Sequence, residues 1–186
     1  GLANISLEKA ATQNIHKIAS RWPWQPTHTP LFDEGYATSE QLPRKIIMHI
    51  TEEERDGKTY VVQKWNGKTI GSMLTDNRIE KDDYRFHDVF HLAYAAVLSW
   101  SPVLRSLLKV KRKSNPLIDE AEDGSRAILI EEGISTLVFQ RAIRLNYYAS
   151  ITTLDFSLLN VIKAFIRGYE VERCSLWQWE KAILDG

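Results

Sequence analysis

Apolar residues along this chain change period three times, and each change predicts a different kind of element. Leu7, Ala11, Ile15 and Ile18 recur at a helical spacing behind Ser6, a good N-cap, and Trp22-Pro23 ends the pattern. From Pro23 to Pro43 no period holds and four of the six prolines fall there, which predicts an extended segment wrapping a surface. Two runs rich in β-branched and aromatic residues follow, KIIMHIT (Lys45–Thr51) and KTYVVQKW (Lys58–Trp65), around a polar EEERDG turn. A second turn at Asn66-Gly67 leads into Thr69-Ile70, so the reading is a three-stranded antiparallel meander.

Beyond that the period is helical, with predicted helices at about 84–99, 101–111, 116–145, 155–170 and 175–184. Pro102 and Pro116 fall at first-turn positions behind Ser101 and Asn115, and Asp155 can cap the helix carrying Phe156, Leu159, Ile162 and Ile166. The expected fold class is mainly α, a helical bundle with a small β-meander in the N-terminal third. Residues 1–22 read as a lead-in helix and 23–186 as one domain.

Charge alters this picture only locally. Lysine plus arginine equals aspartate plus glutamate, 24 each, so no global field draws the chain to nucleic acid or to a membrane. No window approaches about 18 uninterrupted apolar residues. One cysteine, Cys174, permits no intramolecular disulfide and fits a reducing cytoplasm. The tryptophans Trp22, Trp24, Trp177 and Trp179 read as core anchors for the two chain ends.

The anomaly lies between Tyr84 and Thr136. His87 and His91 share a helix face with Asp88 beside them, among Val89, Phe90, Leu92, Ala93, Ala95, Ala96 and Val97. Farther on, Glu131 and Glu132 sit among Ala127, Ile128, Leu129, Ile130, Ile134, Leu137 and Val138. An unpaired buried carboxylate costs several kcal/mol, so these groups need the histidines, Arg85, Arg126 or a metal ion as partners. On an unbroken helix through Gly124, three turns return Glu131 to the face of Glu120. The candidate catalytic residues are accordingly Glu131, Glu132, His91 and Asp88, and the candidate metal ligands Glu120 and His87. A basic run, Lys109, Lys111, Arg112 and Lys113, together with Arg126, is the candidate phosphate cradle.

The stretches RWPWQPTHTPLFDE, EQLPRK, the block from Tyr84 to Ser135, and WQWEKAIL resemble the C-terminal domain found behind MazG-type nucleotide pyrophosphohydrolase domains in bacterial proteins. The helix LANISLEKAATQNIHKIASRW is similar to the closing helix of such domains, which implies an upstream MazG-like partner domain. The resemblance implies hydrolysis of nucleoside triphosphates to monophosphate and pyrophosphate with a divalent metal, Mg²⁺ or Mn²⁺, held by ExxE and ExxD carboxylates. Here Glu120-Ala-Glu-Asp123 fits ExxD, and the resemblance thereby adds Asp123 to the candidate metal ligands. The histidines depart from that pattern, since imidazole suits Mn²⁺, Fe²⁺ or Zn²⁺ better than Mg²⁺. Two other readings stand beside it: a non-catalytic docking or dimerising module whose buried charges form a structural network, and an all-α ribonuclease using the R-x5-H pair Arg85 and His91.

Overall fold

A computed structural model of the chain describes residues 6–186. Helix α1 (Leu7–Arg21) starts where the Ser6 hydroxyl accepts the Lys9 N–H, and it stops at Trp22. The first five residues of the predicted lead-in helix lie outside the described residues. The apolar stripe of α1 faces solvent: Leu7 is 89 %, Ile15 66 % and Ile18 49 % exposed. The proline-rich segment has no regular element apart from a short 3₁₀ turn at Thr38–Glu40, and it anchors itself by burying Phe32, Asp33 and Leu42. Of the four tryptophans, Trp179 is fully buried and Trp22 donates its indole N–H to Glu180, whereas Trp24 is 96 % exposed and anchors nothing.

The meander is present as β1 (Met48–Arg55), β2 (Lys58–Trp65) and β3 (Lys68–Thr69). The EEERDG stretch differs from its reading as a turn. Glu52 to Arg55 continue β1, paired in register with Val61 to Lys58, and only Asp56-Gly57 turns. Both turn residues have positive φ, as do Asn66 and Gly67, which is the geometry of a two-residue hairpin loop. Charge is tolerated in β1 because most of those side chains stay exposed.

Six further helices follow: α2 (Asp88–Leu98), α3 (Pro102–Leu108), α4 (Pro116–Ala121), α5 (Ser125–Arg144), α6 (Phe156–Phe165) and α7 (Leu176–Asp185). Ser101, Asn115 and Asp155 cap α3, α4 and α6 through their side chains, as their positions predict. The single helix expected over 116–145 is two. The chain turns at Glu122–Gly124, and a Cβ on Gly124 would lie 2.0 Å from the Glu120 carbonyl oxygen, so glycine is what permits the break. With the helix broken there, the three-turn argument aligning Glu120 with Glu131 no longer holds.

The core forms where α2, α5, α6 and α7 meet, around Tyr94, Trp100, Ile134, Leu159, Ile162, Trp179 and Ile183. Among the described residues no helix is long and apolar enough to cross a membrane. Cys174 is buried, its thiol against the Leu98 carbonyl.

Candidate metal centre

A 3₁₀ turn at Tyr84–Phe86 delivers the chain into α2, and this entry places His87 and Asp88 at the first turn with His91 one turn on. Helix α5 lies alongside and adds Glu131 and Glu132. Four side-chain atoms converge. His87 Nε2 is 3.1 Å from Asp88 Oδ1 and 3.6 Å from Glu132 Oε2, while His91 Nε2 is 3.6 Å from Glu132 Oε2 and 4.0 Å from Asp88 Oδ1.

Both imidazoles are fixed from behind. His87 Nδ1 lies 2.8 Å from the Tyr84 carbonyl oxygen, which can only accept, so Nδ1 carries a proton and Nε2 is the atom that faces the cluster. The Tyr84 ring stacks on His87 at 4.2 Å. His91 Nδ1 donates to Glu131 at 2.8 Å, and Glu131, fully buried, also accepts the Ser101 hydroxyl at 2.6 Å and the Val103 N–H at 2.8 Å. Asp88 is held by the Gln63 amide from β2. His91 Nε2 is left buried with no hydrogen-bond partner. An orphaned buried nitrogen is costly unless a partner meets it.

The ligand atoms of His87, Asp88 and His91 lie within 4.8 Å of one another and could hold a metal ion. Ligands placed about 2.0–2.2 Å from one ion stand roughly 3.0–3.6 Å apart; the His87–Asp88 and both Glu132 spacings fall in that range, while His91–Asp88 at 4.0 Å would have to close slightly. A histidine backed by a carboxylate and another by a backbone carbonyl are the supports that metal-binding imidazoles use. Access is from the Glu132 side, whose side chain is 37 % exposed against 13 % for Asp88 and 1 % for His91.

Electrostatics of the metal-free cluster follow from these contacts. Burial disfavours the His91 cation, but Glu131 and Glu132 outweigh it and hold its pKa up at about 10. Burial likewise opposes the Glu132 carboxylate, and the two histidines bring it down to about 2. Elsewhere, burial pushes Glu122 up to about 7. Glu132 therefore contributes stability that is present above 4.5 and lost as pH falls toward 2. His91 contributes stability that is full below 6.5 and lost as pH rises through about 10, and that of Glu122 is lost between 4.5 and 7. Thermal melts of the chelated chain should thus peak in the mildly acidic range just above pH 4.5. A metal-free melting temperature that climbs steadily from pH 5 to 9 would contradict the assignment.

The remaining predicted residues are not brought to this cluster. Asp123 is fully buried and accepts from the Arg112 backbone and guanidinium at 2.7 Å, with Arg105 at 3.6 Å, so its oxygens are spoken for. Arg112 is 1 % exposed and also donates to Glu170 and the Phe32 carbonyl, which removes it from any phosphate cradle. Glu122, in turn, accepts the Glu170 N–H. Lys109 is exposed at the left-handed C-terminus of α3, Lys111 is half-buried and Lys113 exposed, on the connector to α4. Glu120 and Arg126 are exposed and line a separate cleft with Ser125 and Arg167. Arg85 spends its guanidinium on Glu52, Asp76 and Asp83, so it does not work with His91 as an R-x5-H pair.

Sequence reasoning missed Ser101, Gln63 and Asp33. Ser101 was legible only as a helix cap, which it also is. Gln63 carried a faint signal as a lone amide after Val61-Val62. Asp33, which receives Arg105 and Arg44 at 2.7 Å, lies in a segment without period and carried none.

A family model described as the MazG C-terminal domain matches residues 27–186 of this chain. Comparisons with curated proteins and with solved structures give no match.

Proposed function

The chain belongs to the MazG C-terminal domain family, and from that premise we propose that it serves nucleotide hydrolysis through a divalent metal held by His87, Asp88, His91 and Glu132. The observation that carries this is the pair of inward-facing Nε2 atoms, one of them buried without a partner, beside two carboxylates. Two imidazoles in the set favour Mn²⁺, Fe²⁺ or Zn²⁺ over Mg²⁺, which dehydrates reluctantly and prefers oxygen. Such an ion supplies Lewis acidity toward a water nucleophile and toward phosphoryl oxygens, the need of a reaction releasing pyrophosphate from a nucleoside triphosphate.

The chain's own residues have separable tasks. His87 and His91 would offer Nε2 to the metal, His91 giving up, on binding, the Nε2 proton that its carboxylate neighbours favour; Glu131 and the Tyr84 carbonyl keep the other proton on Nδ1. Glu132, the most exposed of the set, is the proposed ligand on the side from which substrate would approach. Lys109, Lys111 and Lys113 remain the proposed source of phosphate contacts, reaching the centre only through substrate. An upstream MazG-like domain is the proposed cover for the exposed apolar stripe of α1.

Elemental analysis and turnover test this together. The chain should bind about one Mn²⁺ or Zn²⁺ per molecule and release pyrophosphate from nucleoside triphosphates with Mn²⁺ present. His91→Ala should lose the metal and reduce turnover by at least about a hundredfold. Stoichiometric metal without turnover would leave a structural centre. Absence of metal uptake would sink the whole reading.

A further inference from the structure

A second feature, which the metal centre does not use, is joined to it through Tyr84 and Phe139. A cavity of about 320 Å³ lies among α2, α5, α7 and the turn after α5, lined by Phe86, Phe90, Phe139, Tyr147 and Tyr148 with Asp83 at its rim. That volume falls at the lower end of about 300–1,000 Å³ for small-molecule sites. Its walls connect to the centre by rings. Tyr84 stacks on His87 and meets Phe139 edge-on at 5.2 Å, and Phe139 meets Tyr147 at 6.2 Å.

The rim is conformationally expensive. Asn146, Tyr147 and Tyr148 are three successive non-glycine residues with φ of 52, 53 and 58°, and Asp83 has φ of 64°. Each left-handed residue of this kind is disfavoured and persists only where its surroundings impose it. Tyr148 shows how: its hydroxyl is buried on the Val138 carbonyl. Tyr147 gains nothing comparable. Its ring stays 52 % exposed over the cavity, its hydroxyl 3.3 Å from Asp83. Asp83 is itself half out in solvent and oriented by Arg85 at 2.8 Å.

We propose that this cavity binds the base of a nucleoside, stacked against Tyr147 and Phe86 with an exocyclic amino group donated to Asp83. The aromatic walls suit any planar heterocycle, because stacking needs only a π-face. Asp83, the carboxylate side chain among the lining residues, would exchange its Tyr147 contact for the exocyclic amino group of adenine, guanine or cytosine, which uracil and hypoxanthine lack. This rests on the nucleotide-directed reading of the domain, but binding here needs neither phosphate nor metal.

The test uses nucleosides on the metal-free 186-residue chain, followed by calorimetry. Adenosine and guanosine should bind, each more tightly than inosine, with ribose alone not binding. Tyr147→Ala should weaken binding about tenfold or more, the range of base–aromatic stacking. Leu184→Trp, which fills the cavity from α7, should abolish it while circular dichroism and melting temperature hold. Nucleosides that bind no better than ribose, or affinities unmoved by both variants, overturn the proposal. Nucleoside binding without pyrophosphate release would keep the pocket and fail the hydrolytic reading; release without nucleoside binding would do the reverse.

Discussion

Asp123→Ala should cost about 3–5 kcal/mol, a large part of the roughly 5–15 kcal/mol that holds a domain together. The carboxylate it removes is fully buried and receives the backbone N–H, Nε and Nη2 of Arg112, a guanidinium that is 1 % exposed. Glu170 would remain on Arg112, but Arg105, 3.6 Å from Asp123, would keep only Asp33. Two arginines left short of counter-charge in the interior are far costlier than a lost surface pair. Urea unfolding reads the effect directly. Replacing both partners, Arg112→Met with Asp123→Leu, should recover a good part of the loss, because no charge is then stranded. A single variant as stable as the wild type, with activity gone, would return Asp123 to the metal set where its ExxD spacing first placed it.

That residue also shows where reading the sequence succeeds and where it stops. A carboxylate in an apolar helical segment demands a partner, and this demand is legible for Asp88, Glu131 and Glu132 but not for Asp123, which sits in the polar stretch IDEAEDGSR. Which partner satisfies it depends on tertiary placement. For Glu131 the partner is His91, forty residues away but on a helix of clear period facing another. For Asp123 it is Arg112, a member of a basic run that reads as solvated because sequence cannot show a loop turning inward. Caps, hairpin turns and helix positions were legible, since they depend on neighbours within a few residues. The break at Gly124 is not legible in this way, because glycine in a helical pattern is usually tolerated at a cost near 1 kcal/mol. Only the close approach of the Glu120 carbonyl shows that here it ends one helix and frees another.

The proposed metal centre depends on a residue that is not itself a ligand. Glu131→Gln keeps the side-chain volume, yet three donors, His91 Nδ1–H, the Ser101 hydroxyl and the Val103 N–H, all point at its two oxygens. An amide has one acceptor oxygen and brings an NH₂ of its own, so at least one donor must face another. Relief is available at His91: it can lose the Nδ1 proton and keep the one on Nε2, so that Nδ1 accepts from the new amide. That tautomer keeps hydrogen where the proposed metal would need a lone pair. Metal affinity should therefore fall 10- to 100-fold, the size seen when such supporting partners are lost. Stability of the chelated protein should also drop by about 1–3 kcal/mol for the unsatisfied buried group. Glu132→Gln provides the contrast, since it removes a proposed ligand at a partly exposed position and should lower affinity with little change in urea midpoint. Calorimetric Mn²⁺ titration beside urea unfolding separates the two variants. If Glu131→Gln binds Mn²⁺ as the wild type does while unfolding more readily, Glu131 serves only the fold, and the orientation of His91 was never set for a metal.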